Sequence, residues 1–197
     1  RTDVPSRPEE VLPALGRLVV PQAAPAPAEA PGLALTPRFA NARVAIRDKV
    51  ERYWRSLVRL KDVDRPSADD LEASLAWAAA FFDEGVFWEF HEILEHIWMP
   101  AQEPTKTLLQ GFVQIAIGFH HYTEWNQPGA ASQLRKGLEK VHQVKAAFPT
   151  LRFSPFLDRG EACLAAFEAA GPDGLGGFDP ARIPAFDVAP LPDGQGL

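Results

Sequence analysis

The run Trp88-Glu89-Phe90-His91-Glu92-Ile93-Leu94-Glu95-His96-Ile97-Trp98 sets two imidazoles and three carboxylates among large apolar side chains. Imidazole and carboxylate together hold a cation or move a proton. On a helix turning about 100° per residue, Phe87, Phe90, Leu94 and Ile97 share one apolar face, and Trp88 and Trp98 lie well away from it. His91 and Glu95 are therefore flanked by bulk, where a titratable group must find a partner or shift its pKa. His91 pairs with Glu95 at the i, i+4 spacing, and Glu92 pairs with His96 in the same way. The plain alternative is two ion pairs on a helix surface.

The string His91-Glu92-x-x-Glu95-His96 is one residue longer than the zinc-protease pattern HExxH, and that residue matters. Two His five positions apart point about 140° from each other on a regular helix, so they cannot face one ion together. The inverted order HxxEH and the ferritin-like Glu-x-x-His are also absent. A single divalent ion would thus draw ligands from different helices, with His91, Glu92 or Glu95 on one and His120 or His121 on the other.

Gln110, Gln114 and His121 fall at steps of four and seven on an otherwise apolar rod, forming one polar stripe. Gly111 and Gly118 make a notch beside it where another helix can approach closely. Buried amides must be hydrogen-bonded, and the nearest charged stripe in sequence bears His91 and Glu95. Such a network either fixes the register of a bundle or lines a pocket. In the pocket version His91, Glu92 and Glu95 are the catalytic candidates. Glu95 orients His91, a general base or metal ligand, and His121 completes a site whose metal candidates are His91, Glu95 and His121.

Helices must hold these residues, and the apolar spacing supplies five or six. Ile46, Val50, Tyr53, Leu57 and Leu60 follow steps of four and three, predicting a first helix over about Phe39 to Lys61. A second opens at Ser67, with Asp70 as its capping-box partner, and runs through Leu71, Leu75, Ala78 and Phe82 to a stop at Gly85. The third, about Phe87 to Trp98, ends ahead of Pro100 and packs antiparallel to the second. A fourth spans roughly Thr105 to Trp125 and is followed by a turn at Asn126-Gln127-Pro128-Gly129. The fifth carries Leu134, Leu138, Val141 and Phe148 before Pro149, and Ser154-Pro155 caps a last helix through about Ala170. If Gly85 does not break the chain, helices two and three form one kinked rod. Either way the fold class is all-α, a compact helical bundle.

Composition bounds the rest. The chain has 197 residues, 20 Lys and Arg against 26 Asp and Glu, and a formal net charge of −6. At 46% hydrophobic and 23% charged it is neither a wholly disordered chain nor a membrane protein. The uncharged stretch Thr107 to Thr123 is 17 residues long, at the bottom of the ~17–25 that cross a bilayer, and it carries two Gln, two Gly and two His. The acidic balance argues against nucleic acid as the main partner. Cys163, the single cysteine, excludes a disulfide scaffold and a Cys-based zinc module and points to a reducing, cytoplasmic setting. The first residue, Arg1, leaves an upstream targeting segment open. With Ala162, Leu164 and Ala165 around it, Cys163 reads as a small buried side chain rather than a nucleophile. Arg43, Arg47, Arg55 and Arg59 share one side of the first helix and read as a solvated face, with phosphate or an acidic partner as the alternative.

Residues 1–36 alternate Pro and Ala and are expected to be a disordered arm. Residues 37–170 hold the bundle, and 171–197 form a disordered Gly/Pro-rich tail in which Phe178, Ile183 and Phe186 are placed to pin part of it to the domain.

Phe82-Asp83-Glu84-Gly85-Val86-Phe87-Trp88-Glu89-Phe90-His91-Glu92-Ile93-Leu94-Glu95-His96-Ile97-Trp98, followed by Gln110-Gly111-Phe112-Val113-Gln114 and His121, resembles the family catalogued as domain of unknown function 309. That family's pattern runs roughly F-N-x-G-x-F-F-E-A-H-E-x-L-E-x-x-W, then Q-G-x-x-Q and a downstream His. The resemblance covers about Leu71 to Leu138 and departs from the pattern at Asp83 and Phe90. It implies a compact all-helical fold with Glu89, His91, Glu92, Glu95, Trp98, Gln110, Gln114 and His121 at the motif positions. Glu89, Trp98, Gln110, Gln114 and His121 are the ligand-binding candidates on that basis. The family carries no established activity.

Two functions stay open at this point. One is an internal His/Glu/Gln site that takes a small ligand or a divalent metal ion, with hydrolysis as its chemistry. The other is a non-catalytic interaction or scaffold module, a hairpin like that of tetratricopeptide repeats, whose polar cluster only locks the core. Neither needs a membrane or nucleic acid; a small ligand, a protein partner or a homo-oligomer fits both.

Overall fold

The computed structural model describes residues 43–61, 63–64, 66–67, 69–171 and 174–189, with side chains from Arg47 onward. The arm expected over 1–36, the start of the first helix at Phe39 and the end of the tail, 190–197, lie outside the described residues. Among the described residues there are six α-helices and no strand: α1 Arg43–Arg59, α2 Leu71–Asp83, α3 Phe87–Trp98, α4 Thr105–Thr123, α5 Gln127–Val144 and α6 Phe156–Ala170. Short 3₁₀ turns follow at Lys145–Ala147, Gly174–Gly177 and Pro180–Arg182. No described helix is long and apolar enough to cross a membrane.

The break between α2 and α3 is real, and its chemistry is local. Gly85 sits at φ 71°, a left-handed conformation that suits a residue without Cβ. Its N–H donates to Phe82 O at 2.9 Å, and Val86 N–H donates to Phe81 O at 2.9 Å, which satisfies two terminal carbonyls of α2. The start of α2 differs from expectation. Asp70, not Ser67, is the cap: its carboxylate accepts from Ala73 N at 3.0 Å. Asp70 directly precedes Leu71, and an anion there also meets the positive end of the helix. Ser67 instead accepts from Asp69 N and, through its carbonyl, from Ser74 Oγ. The expected turn at 126–129 is likewise a cap and a first turn. Asn126 accepts from Gly129 N at 3.0 Å, Pro128 fits the first turn of α5, and α4 stops at Thr123 rather than Trp125. Helix α5 gives way at Lys145 to a 3₁₀ turn before reaching Phe148.

Helix α4 packs along α5 and against α3. The α4–α5 contact is backbone to backbone: a Cβ at Gly137 would lie 2.6 Å from Gly111 O, and one at Gly118 would lie 2.9 Å from Leu134 N. The notch expected at Gly111 and Gly118 is thus filled by α5. The core is aromatic. Phe82 lies 5.1 Å from Phe87 and from Phe90 and 5.9 Å from Phe119, with fully buried Leu75, Leu94, Leu108 and Ile115 around them.

Residues 174–189 close the bundle. Phe186, 2% exposed, sits 5.0 Å from each of Phe90, Phe112 and Phe156, and its N–H donates to Asp83 Oδ1 at 2.7 Å. Phe178 is buried and Ile183 packs against the same core. The arginines of α1 brace this end: Arg55 pairs with Glu84 at 2.6 Å and Arg59 with Asp83 at 3.1 Å, while Arg47 pairs with Glu51 on its own helix. The face expected to be merely solvated therefore ties α1 to the end of α2, and the Arg43 side chain lies outside the described ones.

Candidate functional site

Helix α3 is held by Phe87, Phe90 and Leu94, all buried at helical spacing, and this burial fixes what its other faces present. His91 and Glu92 emerge half-buried, with side chains 16% and 18% exposed. His91 Nδ1 lies 3.4 Å from Glu92 Oε1, so the neighbouring carboxylate, rather than Glu95, is its ion-pair partner. No ion pair joins Glu92 to His96, which points to solvent. Donor atoms of His91, Glu92 and Glu95 all lie within 4.8 Å of one another. A donor set was expected to need two helices. These three gather on α3 alone, because a glutamate is long enough to swing across the arc between adjacent positions. His91 Nδ1 is buried and no protein group hydrogen-bonds to it.

The Trp88 ring lies 5.1 Å from that of His91 and 5.4 Å from that of His120 on α4. Beyond it is a second polar group. Glu89, 13% exposed, pairs through Oε1 with Lys49 Nζ of α1 at 3.2 Å, while its Oε2 is buried without a protein partner. Burial, helped by the Glu89 charge, pushes the Tyr53 hydroxyl up to about 12. Burial lowers the pKa of His120, an effect Glu124 and Glu89 oppose and Lys49 and His121 reinforce. Lys49 is not singled out by the sequence and Tyr53 is read there only as part of the apolar stripe of α1; their i, i+4 spacing was the available signal.

The α4 stripe divides. Gln114 Oε1 is buried without a protein partner, Gln110 is half-buried, and the Trp98 indole N–H at the end of α3 is also buried and unpartnered. His121 turns toward the start of α5, its Nδ1 3.3 Å from Asn126 Nδ2, and no hydrogen bond, ion pair or ring contact joins it to His91. His120 is the α4 imidazole that reaches Trp88.

Residues 75–133 match the family Domain of unknown function (DUF309). The DUF309 match is slightly shorter than the span read from the motifs. It contains all of α3 and α4, and with them Glu89, His91, Glu92, Glu95, Trp98, Gln110, Gln114, His120 and His121. Lys49, Tyr53 and the segment 174–189, a strap across the bundle that carries Phe186, lie outside it. No curated protein and no solved structure matches the chain.

Chemically, one imidazole and two carboxylates gathered within 4.8 Å of one another are donors of the kind that suit a borderline divalent ion such as zinc, manganese or iron(II). Three protein donors are fewer than a four-coordinate ion needs, which leaves a position for water or substrate.

Proposed function

We propose that the protein binds one divalent transition-metal ion on α3 through His91, Glu92 and Glu95, and that the metal-bound water is its hydrolytic nucleophile. The observation that carries this reading is the gathering of three donor atoms within 4.8 Å of one another, with a buried His91 Nδ1 that makes no hydrogen bond and has only the Glu92 carboxylate near it, at 3.4 Å. A purely structural lock is less well supported, because a lock of buried polar groups holds by having its hydrogen bonds made. Held by these residues, a divalent ion would supply a water of lowered pKa and a Lewis acid for the substrate. Gln114 and Gln110 on α4 and Trp98 at the end of α3 supply amide and indole groups for substrate contacts. His121, turned to Asn126 at the far end of α4, is not part of the donor set.

The test is thermal melting of the metal-free protein with added Zn²⁺ or Mn²⁺, beside turnover of 4-nitrophenyl phosphate and 4-nitrophenyl acetate. Metal at 100 times its dissociation constant is expected to stabilise the fold by about 2.7 kcal/mol. His91→Ala and Glu95→Gln are expected to abolish that shift, and turnover is expected to require the metal. A midpoint indifferent to metal, or one raised equally in both variants, overturns the reading.

A further inference from the structure

A cleft of about 680 Å³ opens between α1, the α2–α3 turn, the end of α4 and the strap at 180–185. That volume lies within the ~300–1,000 Å³ of small-molecule sites. Its aromatic side is made by Phe87, Tyr122 and Trp125, and the strap adds Ile183 and Pro184.

Trp125 breaks a local rule. It occupies the left-handed position that ends α4, at φ 58°, with its N–H bonded to Tyr122 O at 3.0 Å and Asn126 N–H bonded to His121 O at 2.9 Å. Gly85 holds the equivalent place after α2. A tryptophan there carries a steric cost that glycine avoids, and this one is 68% exposed, so core burial does not offset it. What the conformation achieves is an indole held at the mouth of the cleft.

The opposite wall offers both signs of charge. Arg55 there is committed to Glu84, and Asp83 is held by Arg59 from outside the cleft and accepts from Phe186 N. Arg52 and Asp48 differ: among the described residues their side chains pair with each other, at 2.9 Å within one helix turn, and are 42% and 56% exposed. Such an exposed pair is worth little and exchanges readily for a better partner. The Arg52 guanidinium lies against the turn, since a Cβ at Gly85 would be 2.9 Å from its Nη1.

We propose that this cleft binds a zwitterionic ligand of the aromatic amino-acid class, its carboxylate taken by Arg52, its ammonium by Asp48 and its ring by Trp125 and Phe87. The pair that the ligand displaces is replaced by two charge-assisted contacts of the same sign pattern, and the arginine fork suits a carboxylate. The site is separate from the α3 cluster and does not rest on the metal reading.

The experiment is titration of the full chain with L-phenylalanine, read by tryptophan fluorescence excited at wavelengths that phenylalanine does not absorb. Saturable binding is expected, with 3-phenylpropionate and phenethylamine, which each lack one charge, weaker by about tenfold or more. Arg52→Gln and Asp48→Asn are expected to weaken binding similarly with unchanged melting. Trp125→Gly is expected to abolish it without lowering the melting midpoint, because it relieves the left-handed tryptophan. No saturable signal, 3-phenylpropionate binding as well as phenylalanine, or undiminished binding in Arg52→Gln each overturns the proposal.

Discussion

His120 sits 5.4 Å from Trp88 with Glu89, Glu124, Lys49 and His121 facing it, and burial holds its pKa below the ordinary 6.5. Below pH 6.5 the unfolded chain takes up a proton that folded His120 refuses, so stability falls as the pH drops and levels off below the folded pKa. His120→Gln is expected to flatten the melting midpoint between about pH 7 and 5; an unchanged slope would contradict the burial. Tyr53 gives the opposite limb. Its hydroxyl is raised from 10.0 to about 12, so the stability it contributes is present below pH 10 and lost as the pH climbs toward 12, a loss that Tyr53→Phe removes. Cys163 is buried and its thiol is pushed from 9.0 up to about 11 by burial, so iodoacetamide at pH 8 is expected to label it only after unfolding. At this scale the sequence exposed His91, Glu92 and Glu95 because helical spacing alone decides which of a helix's residues leave its apolar face. It could not expose Lys49 or Tyr53 as neighbours of Glu89, since that proximity belongs to the packing of α1 on the bundle.

Among the helices, the tightest junction is α4 against α5. A Cβ at Gly137 would meet Gly111 O at 2.6 Å and Ile115 N at 2.7 Å, both backbone atoms that cannot swing aside. Gly137→Ala is expected to cost about 1–3 kcal/mol in urea unfolding. Gly177→Ala, where a Cβ meets nothing within 4 Å, is the control and should be close to neutral. Gly111 and Gly118 were legible as a notch, and Gly85 as a stop, because glycine states its purpose through the missing Cβ. The caps were less legible. Ser67 and Asp70 are both good N-cap residues, and only the position of the first helical turn separates them. Asn126-Gln127-Pro128-Gly129 reads equally as a turn or as a cap followed by a proline-initiated helix, and the Asn126 to Gly129 bond decides for the helix.

On the scale of the whole molecule, composition reads 171–197 as a disordered tail while Phe178, Ile183 and Phe186 are placed to pin it, and the structure follows those three side chains. Phe186 contacts Phe82, Phe90, Phe112 and Phe156 from a Gly/Pro-rich segment 103 residues beyond Asp83, the residue that fixes its backbone. Composition marked that segment as poor in core-formers, and three apolar side chains were enough to override it. Phe186→Ala is expected to cost about 3–5 kcal/mol, as for other buried phenylalanines. The helical class, by contrast, was legible throughout, because the 3.6-residue period recurs in each long segment. The central claim is that α3 presents a metal site, and the most direct measurement is the visible absorption spectrum and stoichiometry of protein reconstituted with Co²⁺. One equivalent with ligand-field bands, lost in His91→Ala and Glu95→Gln while circular dichroism stays unchanged, is the expected result. No bands, or bands identical in both variants, would contradict it.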